Sequence, residues 1–177
     1  VDVQLSPVVP GLSAALAKDR PVLAIAPTQL VDGPVITRQL GVARFGVVAR
    51  RGHRVLRGPL TVARWLEYPH VIQRLGNDQI NTVEAELSRR GLSRRVGLEV
   101  PSFLAGLFVV SSSDLLMNAP IPLVNDAATK LGLTTREAPL RLPPVRFSLC
   151  WHERFQADPA HRWARERVFE TARRAFD

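Results

Sequence analysis

One stretch, Arg95 to Pro120, reading RVGLEVPSFLAGLFVVSSSDLLMNAP, limits what this chain can fold into more than any other. Val96, Leu98 and Val100 alternate with Gly97 and Glu99, which predicts a strand with one buried face. Pro101 has no N–H to give a ladder, and Ser102 brings a hydroxyl that can cap the amides of a helix start. From there Phe103, Leu107 and Val110 fall on one helical face, and Ser111-Ser112-Ser113-Asp114 ends the run before Leu115-Leu116-Met117 resumes as an apolar strand. A strand, a helix and a strand with short joints commit the chain to a parallel sheet, because parallel neighbours need a crossover and a helix supplies it. Ligands in such sheets bind outside the carboxyl ends of the strands, so the corners at Pro101-Ser102-Phe103 and Asn118-Ala119-Pro120 are the first places to seek a site.

The rest of the chain repeats the alternation. Val1 to Leu5 reads as a strand ended by Pro7, Pro10 and Gly11, Gly11 to Lys18 as a short helix, and Pro21 to Pro27 as a continuous apolar strand buried on both faces of a parallel sheet. Val35–Leu40 and Ala43–Arg51 read as two strands with Gly41-Val42 between them. Thr61 caps a helix reaching Glu67, His70–Gln73 is a short strand, and 75–80 is a polar loop. A helix over Asn81–Arg90 turns Val83 and Leu87 inward and stops at Gly91. A helix over Leu123–Leu131 stops at Gly132, and a connection with Pro139, Pro143 and Pro144 leads to a strand over Val145–Trp151. In the last helix Asp158 is the cap, Pro159 takes the first position, and Trp163, Ala164, Val168, Ala172 and Ala175 form the inward face. Strands alternating with helices throughout place the chain in the α/β class.

With 177 residues, 46% hydrophobic and 23% charged, the chain can bury a core of one domain or two small lobes. Its longest apolar run, Leu104 to Val110, is far too short to cross a bilayer, and no charged-then-apolar leader opens the sequence, so no membrane partner is expected. The single cysteine, Cys150, excludes an internal disulfide and fits a reducing cytoplasm. A net charge of +8 raises nucleic acid as a partner. Against that, all but two of the 24 basic residues, Lys18 and Lys130, are arginine, and they are scattered in doublets without the aromatic platforms of single-strand binders. They read as a solvated surface.

No nucleophile elbow, phosphate-binding glycine loop, dinucleotide fingerprint or paired-histidine zinc motif is present. Cys150 and His152 lie two apart on a strand and therefore on one face, with Asp158 and His161 downstream, but the spacing fits no common metal site and Phe147 and Trp151 argue for packing. His53 and His70 read as solvated or capping. What remains are strand ends carrying groups that bind without reacting: Ala26-Pro27, Asn77-Asp78-Gln79 and Ser102-Phe103 combine amides, a hydroxyl and one aromatic face, the mixture that holds small ligands. Helix starts near Asn81 and Ser102 add N–H groups that favour a carboxylate.

Three stretches carry a resemblance: VVARRGHRVLRGPLTVARWLEYPHV (Val47–Val71), VGLEVPSFLAGLFVVSSSDLL (Val96–Leu116) and SLCWHERFQADPAHRWARERV (Ser148–Val168). From Leu40 onward the chain resembles the effector-binding domain of LysR-type transcriptional regulators. The resemblance implies an α/β protein of two Rossmann-like lobes joined by two crossover strands, the type 2 periplasmic-binding-protein fold, with a small effector in the cleft. Lobe I would be residues 1–42 and 146–177, and lobe II residues 43–145. Carried over by position, the effector-binding residues are Val9, Pro27, Asn77, Asp78, Gln79 and Val145, with Ser102 and Phe103 beside them. Pro27 stands where some members place an effector-binding arginine. The family's N-terminal winged helix-turn-helix and the first strand–helix of lobe I are not in this sequence, so DNA would be reached only through that missing part.

The implied function is a sensor: an organic acid or aromatic effector shifts the lobe arrangement, and a homodimer or homotetramer passes the shift on. No cofactor, metal or catalytic residue is implied. The rival readings are a transporter's solute-binding protein, an enzyme using Cys150 and His152, and a purely oligomerising module.

Overall fold

A computed structural model describes residues 12–17, 22–74 and 82–176. In chain order the first elements are α1 (Leu12–Leu16), β1 (Ala24–Pro27), β2 (Val35–Ala43), β3 (Phe45–Arg50), α2 (Val62–Leu66), β4 (His70–Gln73) and α3 (Thr82–Arg89). Then follow β5 (Val96–Val100), α4 (Phe103–Ser111), β6 (Leu116–Pro120), α5 (Ile121–Lys130), β7 (Leu133–Glu137), β8 (Val145–His152) and α6 (Pro159–Arg173). The chain divides into two units, one of Val1–Ala43 with Val145–Asp177 and one of Arg44–Pro144.

In the first unit β8 lies between β1 and β2, antiparallel to both. Successive residues of β8 face opposite ways, so Cys150 joins Leu12, Leu16 and Ala26 under α1, while Leu149 and Trp151 join Leu40 and Phe169 under α6. Three readings of the sequence are corrected here. The strand ending at Pro27 is neither parallel nor buried on both faces: it runs antiparallel to β8, and only Ala26 is fully buried while Ile25 is 37% exposed. Gly41-Val42 does not separate two strands, because a bulge between Gln39 and Gly41 absorbs the irregularity and pairing continues to Ala43. On α6 the most buried residues are His161, Arg165 and Phe169; Val168 and Ala172 pack against the same cluster as expected, whereas Trp163 is 56% exposed and Ala175 is exposed too. The Arg165 guanidinium is the cause: it turns in to reach the carbonyls of Phe155 and Gln156 and lies over the Trp151 ring.

In the second unit the strand order is β5-β4-β6-β3-β7. β4 pairs in parallel with β5 and β6, and α4 carries the chain from one to the other, the arrangement that Arg95–Pro120 dictates. Ser102 caps α4 by accepting from the Ala105 amide at 3.2 Å, and Leu107 and Val110 pack on Val71 and Met117. On the other face Trp65, Val83 and Leu87 pack on Val47 and Leu116. Thr61 caps α2, and Gly91 follows α3 at φ 65°, a left-handed stop that glycine adopts without strain. β5 departs from expectation. As an edge strand it leaves Val96 42% and Leu98 38% exposed, and only Val100 is buried. β7, which is Leu-Thr-Thr-Arg-Glu, has no apolar alternation to announce it and pairs antiparallel with β3 at the opposite edge. No helix among the described residues is long and apolar enough to cross a membrane.

Candidate functional site

The candidate residues fall in both units, and each set is built locally. In the first unit, antiparallel pairing sets Pro27, the last residue of β1, opposite Phe147, while Val145 opens β8 opposite Ala43 of β2. Pro27 and Val145 therefore share one end of the sheet, where Pro27 is half-buried and Val145 is buried, and neither has a side-chain donor. Beside them stands a hydroxyl pair that reading along the sequence misses: Thr28 Oγ1 and Ser148 Oγ are 2.8 Å apart, and Thr28 also donates to the Arg146 carbonyl at 3.2 Å. Two single hydroxyls on distant segments leave no local pattern to find. Only the pairing of β1 with β8 makes them neighbours.

In the second unit the carboxyl ends of β4 and β5 meet at the start of α4. The Arg74 amide donates to the Val100 carbonyl at 3.0 Å, and Gln73 Nε2 donates to the Pro101 carbonyl at 3.4 Å. Arg74 also holds Glu99 through two 2.6 Å contacts, which keeps that carboxyl below its ordinary pKa and the guanidinium above its own. Ser102 sits at this corner, with Phe103 half-buried on the Leu107 cluster. Ser102 Oγ takes the Ala105 amide, and the other first-turn N–H groups of α4 have no partner within the helix, so the corner offers these donors, a hydroxyl and an aromatic ring together. Val9, Asn77, Asp78 and Gln79 lie outside the described residues.

The other expected corner is closed. Asn118, Ala119 and Pro120 are all buried, and α5 begins at once after them. Asn118 accepts from Arg94 Nη1 at 3.4 Å, and Arg94, its side chain only 2% exposed, donates through Nε to Glu84 at 2.8 Å. The same guanidinium lies 5.9 Å above the Trp65 ring. His70, fully buried, places Nε2 3.1 Å from the Trp65 carbonyl. Burial first, and the Arg94 charge second, push His70 down to about 4, so its ring is neutral, Nε2–H donates to the carbonyl and Nδ1 is a bare acceptor. Trp65 Nε1, His70 Nδ1 and Asn118 Nδ2 have no hydrogen-bond partner. This network ties α2, α3, β4 and β6 together behind the corner.

Cys150, His152 and His53 have structural settings. Cys150 is fully buried, and desolvation pushes its thiol up to about 11, so it stays protonated and is no nucleophile at neutral pH. His152 accepts from the Arg154 amide at 3.2 Å, capping the turn Glu153–Phe155. His53 is buried rather than solvated, and it accepts from the Val55 amide at 3.0 Å and caps the turn Arg54–Leu56. Among the described residues no three of His, Cys, Asp and Glu gather as a metal site. The described candidates can bind through hydrogen bonds and apolar contact.

Comparison with known proteins agrees with this chemistry. The family described as LysR substrate binding domain matches residues 1–173. The HTH-type transcriptional activator NahR of Pseudomonas putida is 31% identical over 133 residues, covering 75% of this chain and 44% of that protein. The chain thus spans less than half the length of this curated relative. Among solved structures, the probable transcriptional regulator PA0477 of Pseudomonas aeruginosa is 29% identical with a TM-score of 0.72, over 93% of this chain and 53% of that one. The effector binding domain of QuiR in complex with shikimate shares the fold at 12% identity, with a TM-score of 0.63 over 85% of this chain and 69% of that one. The relatives are transcriptional regulators, not enzymes, and this chain belongs to the LysR substrate-binding domain family.

Proposed function

We propose that this chain is the effector-sensing part of a LysR-type transcriptional regulator. The observation that carries the reading is the family match over residues 1–173, joined to candidate positions that offer binding groups and no reacting pair. In this reading the effector contacts Val9, Pro27, Asn77, Asp78, Gln79, Ser102, Phe103 and Val145. Pro27 supplies no charge where an arginine would hold a carboxylate, so the Thr28 and Ser148 hydroxyls and the first-turn amides of α4 take the polar contacts. The effector is an organic acid or an aromatic compound, a class that includes the shikimate bound by QuiR. Its binding shifts the population of lobe arrangements and is read by a homodimer or homotetramer in the cytoplasm, with DNA bound by a separate N-terminal part.

The test is a thermal-denaturation screen of the chain against organic and aromatic acids, shikimate among them. A ligand at a hundred times its dissociation constant adds about 2.7 kcal/mol of stability. Phe103→Ala should abolish the shift for a ligand held at these positions. Turnover of any hit, or a screen in which no hit responds to changes at Pro27, Ser102 or Phe103, would overturn the reading.

A further inference from the structure

In the first unit the face of α6 that turns inward carries guanidinium groups, and it meets the sheet across a cavity of about 350 Å³. Arg38, Leu149, Trp151, Arg162, Arg165 and Glu166 line it. Register explains the sheet side: Arg38 pairs with Leu149 and Ile36 with Trp151 across β2 and β8, so these four share one face. Helical spacing explains the other side, since Arg162, Arg165, Glu166 and Phe169 are three and four residues apart. The volume lies within the ordinary range of small-molecule sites.

The charges around this cavity do not balance. Glu166 is engaged by Arg162 at 3.3 Å. Among the described residues neither Arg38 nor Arg165 meets a carboxylate. Arg38 lies 3.5 Å over the Phe169 ring. Arg165, 8% exposed, donates to the carbonyls of Phe155 and Gln156 and lies 3.3 Å from His161 Nδ1. Those three contacts leave part of its five-donor fork unused. Two cations with only neutral partners therefore stand beside the buried carbon of Leu149 and Trp151. We propose that this cavity is a second binding site, for a small organic anion whose charged group pairs with Arg38 and Arg165 and whose body fills the rest of the cavity beside Trp151. None of its lining residues is a candidate effector residue, so the inference stands apart from the effector reading.

The test is calorimetric titration of the chain with 2-naphthoate, with the neutral 2-naphthalenemethanol and inorganic sulfate as comparisons. Naphthoate should bind with one-to-one stoichiometry and the alcohol and sulfate markedly less well. Arg38→Met removes the guanidinium while leaving a long apolar side chain on the same face as Leu149, and should weaken naphthoate about tenfold, the loss of one charge-assisted contact. Arg162→Gln changes an exposed position that cannot unfold the core and should also weaken it, while Glu166→Gln should strengthen it. Phe103→Ala should leave it unchanged, which separates this site from the effector positions. The proposal fails if naphthoate does not bind, if the alcohol or sulfate binds as tightly, or if a correctly folded Arg38→Met and Arg162→Gln both bind as the parent does.

Discussion

His70 shows how one buried side chain sets a response of the whole fold. Unfolded, its ring takes a proton as the pH falls through its ordinary value of 6.5; folded, burial and Arg94 delay that until about 4. The unfolded chain therefore binds more protons between those values. The stability tied to the neutral ring is complete above pH 6.5 and drains away as the pH falls towards 4, by up to about 3 kcal/mol. Urea denaturation from pH 7.5 downward should show that slope, and His70→Gln should flatten it. Gly46 is a second case: a Cβ there would stand 2.7 Å from the backbone oxygen of Arg136 and 2.6 Å from Ile121 Cδ1. Gly46→Ala should cost about 1–3 kcal/mol in the same measurement, because β7 and α5 would have to move back. Sequence marks both residues as present but is silent on their surroundings. His70 reads there as solvated or capping, because the partners that bury it come from α2 and from the segment before β5.

At the scale of elements, α6 teaches most. Its start was legible because capping is local: Asp158 accepts from the His161 amide at 2.8 Å with Pro159 in the first turn. Its inward face was legible only in part: Val168 and Ala172 pack inward, but hydrophobicity alone favours Trp163 over Arg165, and only the carbonyls of Phe155 and Gln156 make the guanidinium the better inner residue. Trp163→Ala should then change stability by less than about 0.5 kcal/mol, whereas Phe169→Ala should cost about 3–5 kcal/mol. Equal losses would restore the face that the sequence suggests. β5 and β7 make the same point for strands: an edge position lets Val96 and Leu98 stay exposed and lets a polar segment pair, and neither is encoded in the pattern of the strand itself.

At the scale of the molecule, each unit buries its own clusters, Leu107 in the second and Leu149 in the first. Leu107→Ala and Leu149→Ala should each cost about 2–5 kcal/mol. Hydrogen exchange should quicken chiefly within the altered unit, at 44–144 for the former and at the described parts of 12–43 and 145–176 for the latter. The amino-acid order by itself determined the α/β class, the crossover through α4, the caps at Thr61, Ser102 and Asp158 and the corner at Ser102-Phe103, since all of these rest on contacts within a few residues. Tertiary structure alone decided that Arg165 rather than Trp163 turns inward on α6, that Thr28 meets Ser148, that Asn118 is enclosed with Arg94 and that Arg38 and Arg165 share a cavity. Each of those depends on strand register and packing between segments far apart in the chain, and no local periodicity records which of them will meet.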